Sequence, residues 1–154
     1  MVNLADDPLS EHDVSIGPEK RRVVGEVRNG PDRIIIYTTG QKCGLATTRK
    51  GDDKDLSLHV LTAWPKDRTD GTTSLPRGPY LNASGNGSRG TWASLSCGKE
   101  AMVVKFFSPA IATTSTYRGS LDVIKPPNAE SPVSIVVGPR DIREKISAAL
   151  KTHS

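Results

Sequence analysis

Apolar residues along this chain cluster in short runs, and the runs are separated by segments rich in glycine, proline and small polar residues. The most apolar region is 91–109, which contains both phenylalanines of the chain. Its first run, 92–97, predicts a short strand, residues 98–100 predict a turn, and the apolar run 101–107 predicts a second strand. This pattern is typical of a buried β-hairpin, so we expect the rest of the chain to pack on it.

Similar runs predict further strands on both sides of this hairpin. The clearest is 33–39, because three consecutive isoleucines followed by a tyrosine favour β structure over a helix. The turn sequence at 29–32, which contains glycine and proline, separates it from the preceding strand. Strands are predicted in full at 21–28, 33–39, 42–49, 56–64, 92–97, 101–107, 110–117, 120–124 and 132–137.

The segment 65–90 differs in composition, because glycine, proline, serine, threonine and asparagine dominate it. We predict a long surface loop here, running between two core strands. Loops of this length in a compact domain usually carry a function or are disordered. Tyr80 is one of its few large apolar side chains, so we expect it to hold the loop against the domain.

One helix is predicted, at 140–151. Pro139 suits the first helical position, and Asp141 complements the positive end of the helix dipole. The apolar side chains form a narrow stripe on one face, made of Ile142, Ile146, Ala149 and Leu150. Such a stripe needs a sheet to pack on.

Together these elements predict a mainly β (α+β) fold. We expect an antiparallel β-sandwich or rolled sheet of about seven to nine strands, with one C-terminal helix packed on it. A closed, lipocalin-like barrel is the nearest alternative. Residues 20–154 are predicted to form a single β-rich domain, and residues 1–19 to form a flexible acidic leader or tether.

Charge is distributed unevenly along the chain. Residues 1–19 contain five acidic side chains and no lysine or arginine, so their formal charge is −5 and that of the rest is +9, against +4 for the whole chain. The first interpretation is a solvated tail beside an ordinary basic surface, and the second is a tail that folds back over a basic face. The basic residues form only small groups without a recognised motif, which does not favour nucleic acid as a partner.

Two cysteines, Cys43 and Cys97, each precede a glycine in a predicted strand. Strands of this kind can meet across a sandwich, so we predict a disulfide that closes a loop of about 55 residues and contributes roughly 4 kcal/mol. The alternative is a pair of buried thiols. Neither cysteine has the spacing of a metal site, and we predict no metal or cofactor.

The sequence offers little catalytic chemistry. His59 lies in a predicted strand, where we expect a surface or half-buried position. The glycines of 85–90 match a nucleotide-binding pattern, but we expect neither the preceding strand nor the following helix that this pattern requires. Asn82 and Asn86 fit the N-glycosylation pattern and fall in the predicted loop. We therefore expect a protein that is not an enzyme.

The function that we predict is a non-catalytic extracytoplasmic domain, secreted or on the cell surface, which binds a protein or envelope component through loops on a β scaffold. Arg77, Tyr80, Arg89 and Trp64 are the candidate contact residues, because such side chains dominate interface energetics. The alternative for each is an ordinary loop residue, or a core residue for Trp64. No stretch approaches the roughly 20 apolar residues of a membrane span, so we expect any signal or anchor to lie outside this sequence.

Two further hypotheses remain open. The chain could be a structural subunit of a particle or appendage, such as a capsid, tail or pilus component, which a concentration-dependent mass in solution would favour. It could also be a small hydrolase that uses His59, which substitution of that histidine would test.

Overall fold

The computed structural model describes residues 22–49, 57–63, 76, 79–87, 90–109, 115–125 and 131–152. Over these residues the chain forms ten strands and one helix. In chain order they are β1 (Arg22–Asn29), β2 (Asp32–Thr38), β3 (Lys42–Arg49), β4 (Leu58–Ala63), β5 (Leu81–Asn86), β6 (Trp92–Cys97), β7 (Met102–Phe107), β8 (Ser115–Gly119), β9 (Leu121–Ile124), β10 (Val133–Val137) and α1 (Arg140–Thr152).

The ten strands form two five-stranded antiparallel sheets. The first sheet has the order β4-β3-β2-β1-β8 and the second has the order β5-β6-β7-β10-β9. The predicted antiparallel sandwich with one C-terminal helix is therefore confirmed, and the described strands form two sheets instead of a closed barrel. Sandwiches of this kind bury the inner faces of both sheets against each other.

The predicted loop 65–90 is wrong over 81–86, which form strand β5. This strand pairs with β6 from Leu81 opposite Cys97 to Asn86 opposite Trp92. Its small polar residues have low β propensity. Pairing with β6 at the sheet edge nevertheless makes this segment a strand, and its side chains alternate between partly buried and exposed. The glycine pattern at 85–90 therefore begins within β5, and β6 comes after it where a nucleotide site would need a helix.

Side chains of β2 are buried on both faces of the first sheet. Ile34 and Ile36 point into the core between the sheets, where they join residues of the second sheet. Ile35 and Tyr37 belong to a second apolar cluster on the outer face. The run of isoleucines that predicted this strand therefore reflects a strand buried on two sides, as the lack of polar alternation implies.

The predicted disulfide joins the two sheets. Cys43 on β3 and Cys97 at the end of β6 are bonded, with 6.4 Å between their Cα atoms. The bridge therefore links the first sheet to the hairpin of β6 and β7, as expected.

The helix packs on the outer face of the second sheet, as the apolar stripe predicted. Ile142 and Ile146 contact Val103 and Val136 of β7 and β10. At the sheet edge the Nη1 of Arg143 lies 3.2 Å from the Oδ1 of Asp122 on β9. The helix thus covers the face and part of the edge of this sheet.

Candidate functional site

A β-bulge in β1 determines which residues face outward from the first sheet. The register between β1 and β2 shifts between Val23 and Gly25. Val24 and Val27 both pack in the core between the sheets, whereas Val23 belongs to the outer cluster. Because side chains otherwise alternate, the extra residue moves Glu26 to the outer face. The carboxylate of Glu26 therefore lies on the outer face of the sheet, whereas strict alternation from Val24 would have placed it in the core.

Glu26 is only 1 % exposed and is surrounded by three arginines. The Nε of Arg33 donates to its Oε1 at 2.5 Å. Arg118 donates to its Oε2 from Nε at 2.9 Å and also from Nη2. The Nε of Arg28 lies 3.5 Å from Oε1. One negative and three positive side chains give this cluster a formal charge of +2, and we call it the arginine cluster.

Strand pairing brings the arginine cluster together from three strands. Arg28 and Arg33 lie directly opposite each other on β1 and β2, next to the turn at Gly30, where φ is 63°. Arg118 of β8 lies opposite Glu26. Like charges directly opposite each other are destabilising in a sheet. The carboxylate of Glu26 offsets that repulsion and orients the guanidinium groups.

The protonation state of Glu26 follows from these contacts. Burial raises the pKa of the carboxyl, but the hydrogen bonds and positive charges of Arg33 and Arg118 lower it, and the result is a pKa below the ordinary value of 4.5. The carboxylate is therefore ionised at neutral pH, when it holds both arginines in place.

The arginine cluster lines an open depression of about 270 Å³ together with Thr116 and Tyr117. The side chains of Arg28, Arg118 and Arg33 are 64 %, 46 % and 31 % exposed. Within the described residues, Glu26 is the one acidic side chain in the lining. Guanidinium groups arranged in this way present donors that match carboxylate and phosphate oxygens. The depression is therefore suited to binding an anionic group.

Three of the predicted contact residues, Trp64, Arg77 and Arg89, lie outside the described residues. The fourth, Tyr80, is fully buried. Its hydroxyl donates to the carbonyl of Pro76 at 2.5 Å, and its ring packs closely against Gly98. Tyr80 therefore anchors its segment, as expected, but it does not offer a surface to a partner.

The environment of Tyr80 also changes its acidity. Burial raises the pKa of this phenol to about 12, and the negative charge of Glu100 adds to the effect. The side chain therefore stays neutral at all physiological pH values, which fits a position in the core.

His59 lies exposed on β4, in agreement with the predicted surface position. Its Nε2 is 2.5 Å from the hydroxyl of Tyr37, and the two rings stack with centroids 6.0 Å apart. A hydrolase that forms a covalent intermediate places its nucleophile, commonly a serine or a cysteine, beside its base. The described contact joins His59 to a phenol, so the hydrolase hypothesis gains no support from it.

The asparagines of the two glycosylation patterns lie on β5 instead of in a loop. Asn82 and Asn86 are both exposed, and the Oδ1 of Asn82 accepts a hydrogen bond from the hydroxyl of Ser96 at 2.6 Å. Modification at either position stays a prediction.

Glu26, Arg28, Arg33 and Arg118 are not among the residues predicted from the sequence. Two features of the sequence point to part of the cluster: an acid inside an apolar strand, and two arginines at equal distances from a predicted turn. Arg118 lies 92 positions from Glu26 and has no comparable feature. Only the pairing of β8 with β1 brings it to the site.

Two further findings concern the described residues alone. They contain no group of three or more histidine, cysteine, aspartate or glutamate side chains that is arranged to hold a metal ion. Of the helical segments found there, none combines the length and the apolar character that crossing a membrane requires.

Fold and site together define a disulfide-linked β-sandwich with an arginine-lined depression on one sheet. No protein-family model, curated protein or solved structure matches the chain. The chemistry of the depression is therefore the basis for a functional proposal.

Proposed function

We propose that the protein is a non-catalytic binding domain, and that it holds an anionic group of a protein or envelope component in the arginine cluster. The observation that carries this proposal is the excess of guanidinium over carboxylate around a shared depression. Three arginines converge there on one buried carboxylate. Neutralising the charge of one carboxylate takes one arginine, so the cluster keeps a net positive charge that Glu26 does not balance.

The hydrogen-bonding capacity of the arginines supports the proposal. The guanidinium of Arg33 carries five N–H donors. Arg33 donates to Glu26 through Nε alone within the described part of the chain. The Nη groups of Arg33 can therefore donate to a ligand, and because Glu26 already fixes Arg33 and Arg118, little side-chain freedom is lost on binding.

The chemical class of the ligand follows from the donors. Planar, paired N–H groups bind carboxylate and phosphate oxygens more specifically than a lysine ammonium does. We therefore expect a carboxylate or a phosphate group on the partner. Binding through the loop residues Trp64, Arg77 and Arg89 stays a separate prediction.

The proposed location is extracytoplasmic, either secreted or at the cell surface. The Cys43–Cys97 disulfide is compatible with an oxidising compartment. Intact mass with and without reductant tests this in protein taken from its native source. Two thiols that are alkylated only after reduction would support the proposed location, whereas two free thiols in the unreduced protein would contradict it.

Calorimetric titration with inorganic phosphate and with citrate tests the binding proposal. Arg28→Gln is the most informative variant, because Arg33 and Arg118 still satisfy Glu26 in its absence. We expect about fivefold weaker binding, equivalent to roughly 1 kcal/mol for one charged hydrogen-bond donor. Arg140→Gln is the matched control, since Arg140 is exposed on α1 and pairs with Glu144.

The control separates a site from a general charge effect. If Arg140→Gln weakened binding as much as Arg28→Gln did, the ligand would be responding to net charge, and the proposal would be wrong. An absence of heat with either anion at low salt would also contradict it.

A further inference from the structure

Strand β8 occupies an edge of the first sheet, directly beside the arginine cluster. Its pairing partner is β1, from Gly25 opposite Gly119 to Asn29 opposite Ser115. The other edge strands of the described part are covered, because β4 lies against β5, and β9 lies next to α1. Four of the five residues of β8 are exposed. This edge is therefore the one that the described elements leave open.

The backbone of an edge strand offers unsatisfied groups along its outer side. Successive residues of a strand direct their N–H and C=O groups to opposite sides, so only alternate residues of β8 face β1. The remaining groups point away from the sheet. An extended segment can pair with such an edge and add one strand to the sheet.

The side chains of β8 alternate between two chemical environments. Thr116 and Arg118 lie opposite Arg28 and Glu26 on the outer face, within the depression. Tyr117 lies between them and is 58 % exposed, the one large hydrophobic side chain exposed to this degree in the described part of the chain. An added strand would therefore place alternate side chains beside cations and beside an aromatic ring.

We propose that β8 receives an extended segment of a partner protein as an additional strand, and that acidic side chains alternate with apolar ones in this segment. The proposal rests on the proposed function of the arginine cluster and adds the form in which the anionic groups reach it. Acidic side chains two positions apart in a strand are about 7 Å apart, the same spacing as Thr116 and Arg118. The apolar side chain between them contacts Tyr117.

Charge complementarity favours an acidic segment over a neutral one. The cluster has a formal charge of +2, so an acidic side chain of an added strand would enter a region of net positive charge. A basic segment would place like charges side by side, which disfavours strand pairing.

Edge strands also carry charged residues to prevent unwanted pairing. In that case Arg118 would repel or block incoming strands, and no segment would bind. The test must therefore separate a binding edge from a protected edge.

Fluorescence anisotropy with a labelled synthetic peptide, in which glutamate alternates with valine, provides that test on the full chain. One control peptide groups the same residues in blocks, and a second carries N-methyl groups that remove the strand hydrogen bonds. We expect the alternating peptide to bind and both controls to bind about tenfold more weakly, because a factor of ten corresponds to the loss of about one charged contact or a few net backbone hydrogen bonds.

Variants of the protein assign the binding to β8. Arg28→Gln and Tyr117→Ser should each weaken binding of the alternating peptide by about fivefold, the size expected for one exposed charged or aromatic contact. Arg140→Gln should leave it unchanged. Amide resonances of 115–119 should shift on addition of the peptide.

Four outcomes would overturn the proposal, and they are distinguishable. Equal binding of the N-methylated peptide would leave the anion site intact but exclude strand addition. Phosphate binding without any peptide binding would identify β8 as a protected edge. An absence of both phosphate binding and peptide binding would refute the proposed function as well. Peptide binding only to a Glu11→Gln, Asp13→Asn variant would show that the acidic leader of this chain is the occupant.

Discussion

At the scale of single residues, Glu26 is the side chain on which the arrangement depends. A buried carboxylate without partners is costly, whereas one with several charged donors is stable in its ionised form. Arg33 and Arg118 supply those donors from two neighbouring strands. The same carboxylate keeps the arginines oriented, so stability and the proposed binding share one residue.

Substitution Glu26→Gln should lower the free energy of unfolding by about 2–3 kcal/mol, because the arginines then face each other without a counter-charge. Urea unfolding followed by circular dichroism measures this. Glu144→Gln, which breaks an exposed pair on α1, should change it by less than about 0.5 kcal/mol. Equal effects of the two substitutions would contradict the structural role of Glu26.

The pH dependence of stability should report the same carboxylate. Its pKa in the folded protein lies below the ordinary 4.5, so as the pH falls the unfolded state takes up the proton first. The stabilising contribution is therefore complete above about pH 4.5 and is lost as the pH falls through the lower folded pKa. The parent protein should lose stability more steeply in this range than Glu26→Gln, and identical slopes would refute this.

At the scale of elements, the outer face of the first sheet depends on close packing as well as on charge. Tyr37 lies flat over Gly44 of β3, where an added Cβ would be 2.2 Å from the Cζ of the ring. The glycine therefore makes room for the tyrosine, whose hydroxyl then meets His59.

Gly44→Ala should consequently destabilise the protein by about 2–3 kcal/mol, because the ring of Tyr37 has to move out of a packed position. Gly85→Ala is the matched control on β5, since its Cβ would lie 3.3 Å from Val60 and needs only a small adjustment. Thermal unfolding of both variants measures the difference. If both variants melted at the same temperature, the close approach of Tyr37 to Gly44 would not exist in solution.

The elements also show what sequence patterns can predict. Strands β1 to β4, β6, β7 and β10 begin and end within about two residues of the prediction, because their apolar runs are flanked by clear turn residues. Strand β5 was missed, since Leu81–Asn86 has small polar residues and gains its structure from pairing with β6. The bulge was also missed, because it arises where β1 pairs with β2.

The candidate site was harder to predict than the fold for a related reason. The composition of residues 65–90 predicted a surface loop with contact residues, yet Tyr80 from that segment is buried. The arginine cluster combines residues from three strands, and the orientation of Glu26 follows from the bulge. Patterns within one strand do not contain this information.

At the scale of the whole molecule, the disulfide holds the two sheets together across the core. The double variant Cys43→Ala, Cys97→Ala should lower the free energy of unfolding by about 4 kcal/mol, since it releases a long loop in the unfolded chain. Guanidinium unfolding, compared with the oxidised parent, measures this loss. A variant as stable as the parent would show that packing between the sheets suffices without the bridge.

The edge strand β8 lies next to the charged depression on the first sheet. The helix packs on the outer face of the second sheet. Under the proposed function, the partner would therefore bind the first sheet, whereas the helix covers the outer face of the second. Mass in solution distinguishes a monomeric binding domain of this kind from the structural-subunit hypothesis. A mass that stays monomeric over a wide concentration range is expected, and growth with concentration would favour the subunit.

The most direct measurement is an NMR titration of the side-chain Nε–Hε groups of Arg28, Arg33 and Arg118 with inorganic phosphate. These resonances report on the arginines themselves, so they locate the anion without a functional assay. We predict that all three shift together and saturate, while the resonance of Arg140 moves little. Shifts of equal size at Arg140, or none at the three arginines, would contradict the claim that this cluster is a binding site.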